Sequence, residues 1–405
     1  MNKNKQKKLI NMIKTFVPEN VTDHYNKILQ FTTIKPEPKI HKIHDGIIAI
    51  DNKNEAFGVF DNNKNFINES ICRRGNHKRH IPNKNCINKI QKYDFDVIYC
   101  GGNTMHHFGH FLIEGLSRVY PYLYKKYQHC KLIFIDNHSL PNYAKTLLNL
   151  LGVPDENIIV LNHSAQFRTV YIPDQSFDIT SYSSTIQAKV YKKIASNTNA
   201  HDKFNKIYVS RTAMGDRKTF GEEQIQNIFE QNGYKIIYPE QLPLPEQIGL
   251  IKNCKYLAGL AGTALHLATF MKPGGTVIQI KRNTVIGDNT FVQNLINKTT
   301  GLNFILIWGS TEPVPSAHFS QQPQIVGITP QLLKFFDWAK FKYSDTDLQE
   351  NTQSVQEYKT AYSQYIKNTK NNKIKKSIAK ICSCFLPTRQ LRRMFRNYIS
   401  TKLKI

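Results

Sequence analysis

The chain has 405 residues, too many for a single hydrophobic core and enough for two α/β domains with appendages. Its net charge of +25 arises from 55 Lys and Arg against 30 Asp and Glu, and the excess is uneven, since residues 367–405 hold 12 basic residues and no acidic one. The body is therefore only moderately basic, which excludes charge as its main functional signal, and its abundance of Lys, Asn and Ile fits an AT-rich genome.

After a polar, basic start at residues 1–8, the apolar positions Leu9, Ile10, Met12, Ile13, Phe16 and Val17 are interrupted by Asn11 and Lys14. That pattern predicts neither a signal h-region nor a membrane span. Without an export signal, the seven cysteines (Cys72, Cys86, Cys100, Cys130, Cys254, Cys382, Cys384) are expected to be reduced cytoplasmic thiols, and no CxxC spacing points to zinc. Residues 45–75 carry short β-like runs between Asn-rich turns, a mixed or antiparallel lead-in. From Phe95 the spacing predicts a strand at 95–100, a helix at 108–124, a strand at 131–135, a helix at 141–151 stopped by Gly152, and strands at 158–161 and 169–172. This alternation argues for a largely parallel sheet.

A connecting helix at 183–196 and a polar linker at 197–205 mark a domain boundary. Beyond it the spacing predicts a strand at 207–210, a helix at 222–232, a strand at 235–237, a helix at 245–252, a strand at 256–259, a helix at 263–271 and a strand at 276–280. One more strand follows at 304–308, and a helix at 329–341 is placed to cross back over the first domain. The organisation expected is an α/β domain over 1–196, a Rossmann-like domain over 206–315, a helical segment over 325–366 and a basic amphipathic tail over 367–405.

Two constellations carry chemistry. His107, His110 and Glu114 are spaced three and four apart, so on a helix they share one face just after a strand's carboxyl end, where open α/β sheets bind ligands. Such a row suits a general base in a cleft. Its alternatives are helix-capping or core histidines, or a His/His/carboxylate metal set, for which no HExxH or further ligand cluster is present. Asp94 and Asp96 form a DxD, but at the start of a strand rather than its end, and Asp345 and Asp347 resemble surface residues. The second constellation is a phosphate side. Ser210 and Arg211 end a strand, Arg217 and Lys218 follow in the loop, and Gly262, Thr263 and Ala264 open a helix that continues through His266. No Walker A or G-x-G-x-x-G sequence occurs, so the two commonest nucleotide motifs are absent.

In this order the residues resemble glycosyltransferase family 61. Its aromatic-Gly-His-aromatic-Leu run with a following acidic residue is similar to Phe108-Gly109-His110-Phe111-Leu112-Ile113-Glu114. Its Ser-Arg strand end is similar to Ser210-Arg211 with Arg217 after it, its Glu-Gln to Glu246-Gln247, and its Gly-x-x-Gly-x-x-Leu turn with a later Pro-Gly to Gly259, Gly262, Leu265 and Pro273-Gly274. The resemblance covers about residues 99–280. Many family members have a histidine before the second glycine, where this chain has Ala261, with His266 in the following helix. The resemblance implies a GT-B-like fold of two Rossmann-like domains and an inverting transferase without a DxD-bound metal. Glu114, His110 or His107 would be the catalytic base, and Ser210, Arg211, Arg217, Glu246, Gln247, Gly262, Thr263, Ala264 and His266 would bind a nucleotide-sugar donor, UDP-linked, with no cofactor.

In the tail, Ile374, Ile378, Ile381 and Phe385, then Leu391, Phe395, Tyr398 and Ile399, keep helical period among basic residues, which suits an anionic membrane surface. The expectation is a cytoplasmic, membrane-peripheral bacterial enzyme acting on capsule or lipopolysaccharide glycans, lipid-linked ones included, without a nucleic-acid partner. The rivals are another nucleotide-dependent transferase of surface polysaccharide, such as a pyruvyl transferase, and a non-catalytic basic nucleic-acid-binding protein. The second rival would require aromatic residues interleaved with the basic ones across a sheet, which the body lacks.

Overall fold

Two sheets organise the computed structural model, which describes residues 12–30, 33–74, 77–78, 80–88, 90–102, 106–199, 204–214, 219–283, 290–311, 324–361 and 363–364. The expected tail at 367–405, and Arg217 with Lys218, lie outside these residues.

The first sheet has seven strands in the order Ile158–Leu161, Lys131–Ile135, Gln91–Gly101, Ala165–Pro173, Ile40–Asp51, Ala56–Phe60 and Phe66–Ile67. The first four run parallel, and from Ala165–Pro173 onward each successive pair is antiparallel. The sheet is thus mixed, with the antiparallel lead-in joined to the parallel strands rather than standing apart from them.

The second sheet is wholly parallel, in the order Lys235–Ile237, Lys206–Val209, Tyr256–Leu260, Thr276–Lys281, Asn303–Trp308 and Ile13–Phe16. Its last strand comes from the chain's amino-terminal region, pairing Ile13 with Phe304 through Phe16 with Ile307. Every residue of Thr276–Lys281 is buried, as expected where helices cover both faces of a parallel strand.

One apolar cluster fills the space between the sheets, running from Ile98, Phe111 and Leu112 to Leu265, Val277 and Phe304. The Phe108–Ile113, Thr185–Ser196 and Thr290–Thr300 helices and the 3₁₀ segment Thr263–Phe270 all contribute to it. A second cluster covers the outer face of the parallel sheet, where Ile225 and Phe229 of the Glu222–Gln231 helix and Leu332, Phe335 and Phe336 of the Pro330–Ala339 helix meet Ile278, Ile305 and Ile307.

Three expectations need correction. The helix expected over 108–124 is an α-helix only at Phe108–Ile113 and then breaks into the 3₁₀ turns Gly115–Arg118 and Tyr120–Leu123. Pro121 has no N–H to continue an α-helical ladder, and the tighter path turns Arg118 inward, where its Nη1 donates to Pro173 O at 2.8 Å and its Nη2 to Glu69 O and Ile71 O at 3.0 Å. The helix expected over 263–271 is the 3₁₀ helix Thr263–Phe270. Its residues from Leu265 to Phe270 are all buried, so packing on every side, not intrinsic propensity, sets its winding. Finally, the helix expected over 329–341 does not cross the first domain. It packs on the second sheet, with Phe335 edge-on to Phe16 at 5.6 Å between ring centres.

Candidate active site

The parallel sheet itself locates a crevice. Lys206–Val209 lies between the two strands that follow it in this sheet in chain order, Lys235–Ile237 and then Tyr256–Leu260. Connections therefore leave it in opposite directions, and a ligand crevice opens outside the carboxyl ends of the two inner strands. Ser210 and Arg211 follow one of these ends directly, and Ala261 and Gly262 follow the other.

These two turns touch. A Cβ on Gly262 would lie 3.1 Å from Nη1 of Arg211, so the glycine lets that guanidinium approach the backbone, and Nη2 of Arg282 lies nearby at 3.9 Å from the same point. At Gly262 the 3₁₀ helix begins, and the first N–H groups of any helix lack acceptors within it. Arg211 is only 7 % exposed. Its backbone N–H donates to both carboxylate oxygens of Glu222 at 3.3 Å, and the Tyr208 hydroxyl donates to one of them at 3.1 Å. Burial pushes the Glu222 carboxyl up to about 8, against the opposing effect of those hydrogen bonds and of the Arg211 charge. Ser210 donates to Gln226 at 2.6 Å and accepts from the Thr212 N–H at 3.1 Å, which fastens the turn to the following helix.

The other constellation comes from the first sheet. His107 caps the Phe108–Ile113 helix, its ring accepting from the His110 N–H at 3.4 Å, which is the capping role expected as the alternative to a catalytic one. The His110 Nδ1 lies 2.7 Å from a carboxylate oxygen of Glu114, whose side chain is 1 % exposed against 27 % for His110. When Nδ1–H donates to the carboxylate, Nε2 of neutral His110 carries the lone pair.

Gly109 joins the two halves. A Cβ there would lie 2.7 Å from Cγ2 of Thr263 and 3.4 Å from Cδ2 of His266, so helix and 3₁₀ segment meet with no side chain between. His266 is buried with Nδ1 at 2.8 Å from Gln293 Oε1. Burial holds its pKa down to about 4, opposed by the Gln293 bond, with the nearby His110 and His107 adding to the depression. His266 was expected with the phosphate-side residues; the structure sets it against both constellations, beside Thr263 in the chain and next to the His107–His110 pair.

Gln247 donates to Pro239 O at 2.7 Å and Leu242 O at 2.8 Å, which shapes the preceding loop. Glu246 is half-buried on the same Leu244–Ile251 helix, which packs on the 3₁₀ segment. The DxD carboxylates serve local structure. Arg168 Nε donates to Asp96 at 2.8 Å and its Nη1 lies 3.5 Å from Asp94, and Asp347 accepts from the Ser344 N–H at 2.8 Å. Asp96, His129 and Cys130 also bring ligand-type atoms within 4.8 Å of one another, with the Arg168 charge already on Asp96.

Sequence reasoning missed Arg282, Glu222 and Gln293. For Arg282 a signal existed, since Lys281-Arg282 follows a predicted strand as Arg211 does. Glu222 and Gln293 gave none, because each acts through a partner distant in sequence.

Comparison with curated proteins finds no match to this chain. Residues 108–278 match the glycosyltransferase 61 family, from the start of the His110 helix to the strand that precedes Arg282. The match includes His110, Glu114, Arg211, Gly262 and His266, and through it the chain carries a glycosyltransferase family 61 region over residues 108–278, and with that region a glycosyltransferase role.

Proposed function

We propose that the protein is an inverting glycosyltransferase on a GT-B-like scaffold, moving a sugar from a UDP-linked donor to a capsule or lipopolysaccharide glycan. The observation that carries this reading is the meeting of a His–carboxylate pair and a two-arginine glycine turn through Gly109 and Thr263.

In this reading His110 Nε2 takes the proton of the acceptor hydroxyl as that oxygen attacks the anomeric carbon from the side opposite the leaving diphosphate. Glu114 holds the ring and balances the imidazolium that forms. Of the three expected bases, His110 is favoured because the Glu114 carboxylate is almost wholly buried and His107 caps the helix. Arg211, Arg282 and the N–H groups at Thr263 and Ala264 would meet the departing diphosphate, a task for which fixed guanidinium groups can stand in place of a metal. One displacement with one base inverts the anomeric centre.

Nucleotide binding tests the reading before any acceptor is known. Thermal shift of the full chain with UDP, GDP, CMP and their sugars, with and without EDTA, is expected to give stabilisation by a uridine ligand that survives EDTA and is lost in Arg211→Ala. Equal responses of wild type and Arg211→Ala would remove the donor-site assignment. The proposed place of work is the inner face of the cytoplasmic membrane, with residues 374–405 as the contact. Among the described residues no helix is long and apolar enough to cross a membrane. Flotation of the full chain with anionic and with neutral vesicles would test the contact, and equal behaviour with both would count against it.

A further inference from the structure

A cavity of about 610 Å³ opens between the Thr185–Ser196 helix, the end of the 3₁₀ helix Thr263–Phe270 and the turn after it. Its walls are largely apolar, from Ala188, Ala195, Phe270, Met271 and Pro273. Four lysines line it as well, Lys189, Lys192, Lys252 and Lys272, and no acidic side chain does so among the described residues.

Like charges gathered around an apolar space are unfavourable unless something anionic joins them. Lys189 and Lys192 are three residues apart on one helix and therefore neighbours, and both are exposed, as is Lys272. Lys252 is half-buried and donates to the backbone oxygens of Ala195 and Thr198. Its pKa is lowered, first by burial and then by the charge of Lys272.

Thr269 belongs to the same lining. Thr269 is 2 % exposed, and its hydroxyl has no hydrogen-bond partner among the described residues. The oxygen itself is closed to solvent, so Thr269 forms part of the wall without offering its hydroxyl to the cavity. Thr269 is three residues beyond His266 in the same 3₁₀ helix, about 6 Å along its axis. The cavity therefore begins one turn from the candidate active site.

We propose that this cavity holds the chain of a single-chain phosphate amphiphile, its head group among the four lysines. A free phosphate would leave the apolar walls unused, and a neutral lipid would leave the lysines unanswered. The chain's own segment 367–405, with 12 basic residues and no acidic one, has the wrong charge to fill it. The inference goes beyond the transferase reading and requires neither a sugar nor a nucleotide.

Titration calorimetry of the full chain with dodecyl phosphate below its micellar concentration, beside dodecyl maltoside and inorganic phosphate, tests it. One dodecyl phosphate is expected to bind at least ten-fold more tightly than either control. The exposed pair Lys189→Glu with Lys272→Glu is expected to weaken it ten-fold or more, with the melting temperature and the response to nucleotide unchanged. Ala195→Trp, which fills the cavity, is expected to do the same. If dodecyl maltoside or phosphate binds as well as dodecyl phosphate, or if the lysine pair leaves binding intact, the proposal fails, whatever becomes of the donor-site assignment.

Discussion

At the residue scale, the His110–Glu114 and Arg211–Glu222 pairs have different parts to play, and substitution separates them. Glu114→Gln keeps the shape of the side chain but removes the charge that would balance a protonated His110. Turnover is expected to fall by about 10²-fold or more while nucleotide-induced stabilisation stays, measured as nucleotide release and thermal shift on the same preparation. Arg211→Ala removes a guanidinium aimed at the leaving group. Its turnover is expected to drop by about 10²–10³-fold, with nucleotide stabilisation lost as well, and Arg211→Lys to recover only part because one ammonium cannot make a fork. Normal nucleotide stabilisation in Arg211→Ala would separate this residue from the donor. The spacing of His110 and Glu114 was legible because four residues make one helical turn. The buried Glu222 behind Arg211 was not, because a carboxylate in the first turn of a helix reads in sequence as an ordinary charge-favoured terminus.

At the element scale, the contact between the Phe108–Ile113 helix and the Thr263–Phe270 segment rests on Gly109. Gly109→Ala would place a methyl 2.7 Å from the Thr263 side chain, so one element must move. Overpacking of this kind costs about 1–3 kcal/mol. The melting temperature is expected to fall and turnover with it, and the double variant Gly109→Ala with Thr263→Ala, which deletes both of the nearest Thr263 atoms, is expected to recover much of the stability. No recovery in the double variant would mean that the two elements do not share this contact. The elements themselves were largely legible. The strands Lys131–Ile135, Ile158–Leu161 and Lys235–Ile237 match their predicted spans residue for residue, and Gly152, at φ 103°, ends its helix as its sequence position implied. The helix at 108–124 misled because Leu112, Leu116, Val119 and Leu123 keep helical period, whereas Pro121 and the inward turn of Arg118 decide the winding.

At the scale of the whole molecule, His266 and Glu222, two of the buried ionisable groups of the site, act on stability in opposite directions. His266 has a pKa of about 4 in the fold against an ordinary 6.5, so the unfolded chain binds the extra proton between these values. Its contribution is fully present above pH 6.5 and is lost as the pH falls toward 4. Glu222 is at about 8 in the fold against 4.5, so here the folded chain holds the extra proton. That contribution is fully present below pH 4.5 and is lost as the pH rises through 8. Each slope is about 1.4 kcal/mol per pH unit, so the two cancel between pH 4.5 and 6.5. Only the Glu222 loss, of order 2 kcal/mol, remains between 6.5 and 8. Urea midpoints are expected to fall over that upper window in the wild type and to stay level in Glu222→Gln. An equal fall in both would assign it to other groups.

Local pattern was enough to establish the alternation of strands and helices, the glycine turns and the concentration of basic charge beyond residue 367, since each follows from side-chain period, backbone freedom or simple composition. Which strands are neighbours was not available to it. The pairing of Ile13–Phe16 with Asn303–Trp308, the return of Pro330–Ala339 to the second sheet and the seating of His266 beside His110 all join residues far apart in the chain. Tertiary packing decided them, because burial rewards whichever apolar surfaces fit together and no periodicity within one segment records its distant partner.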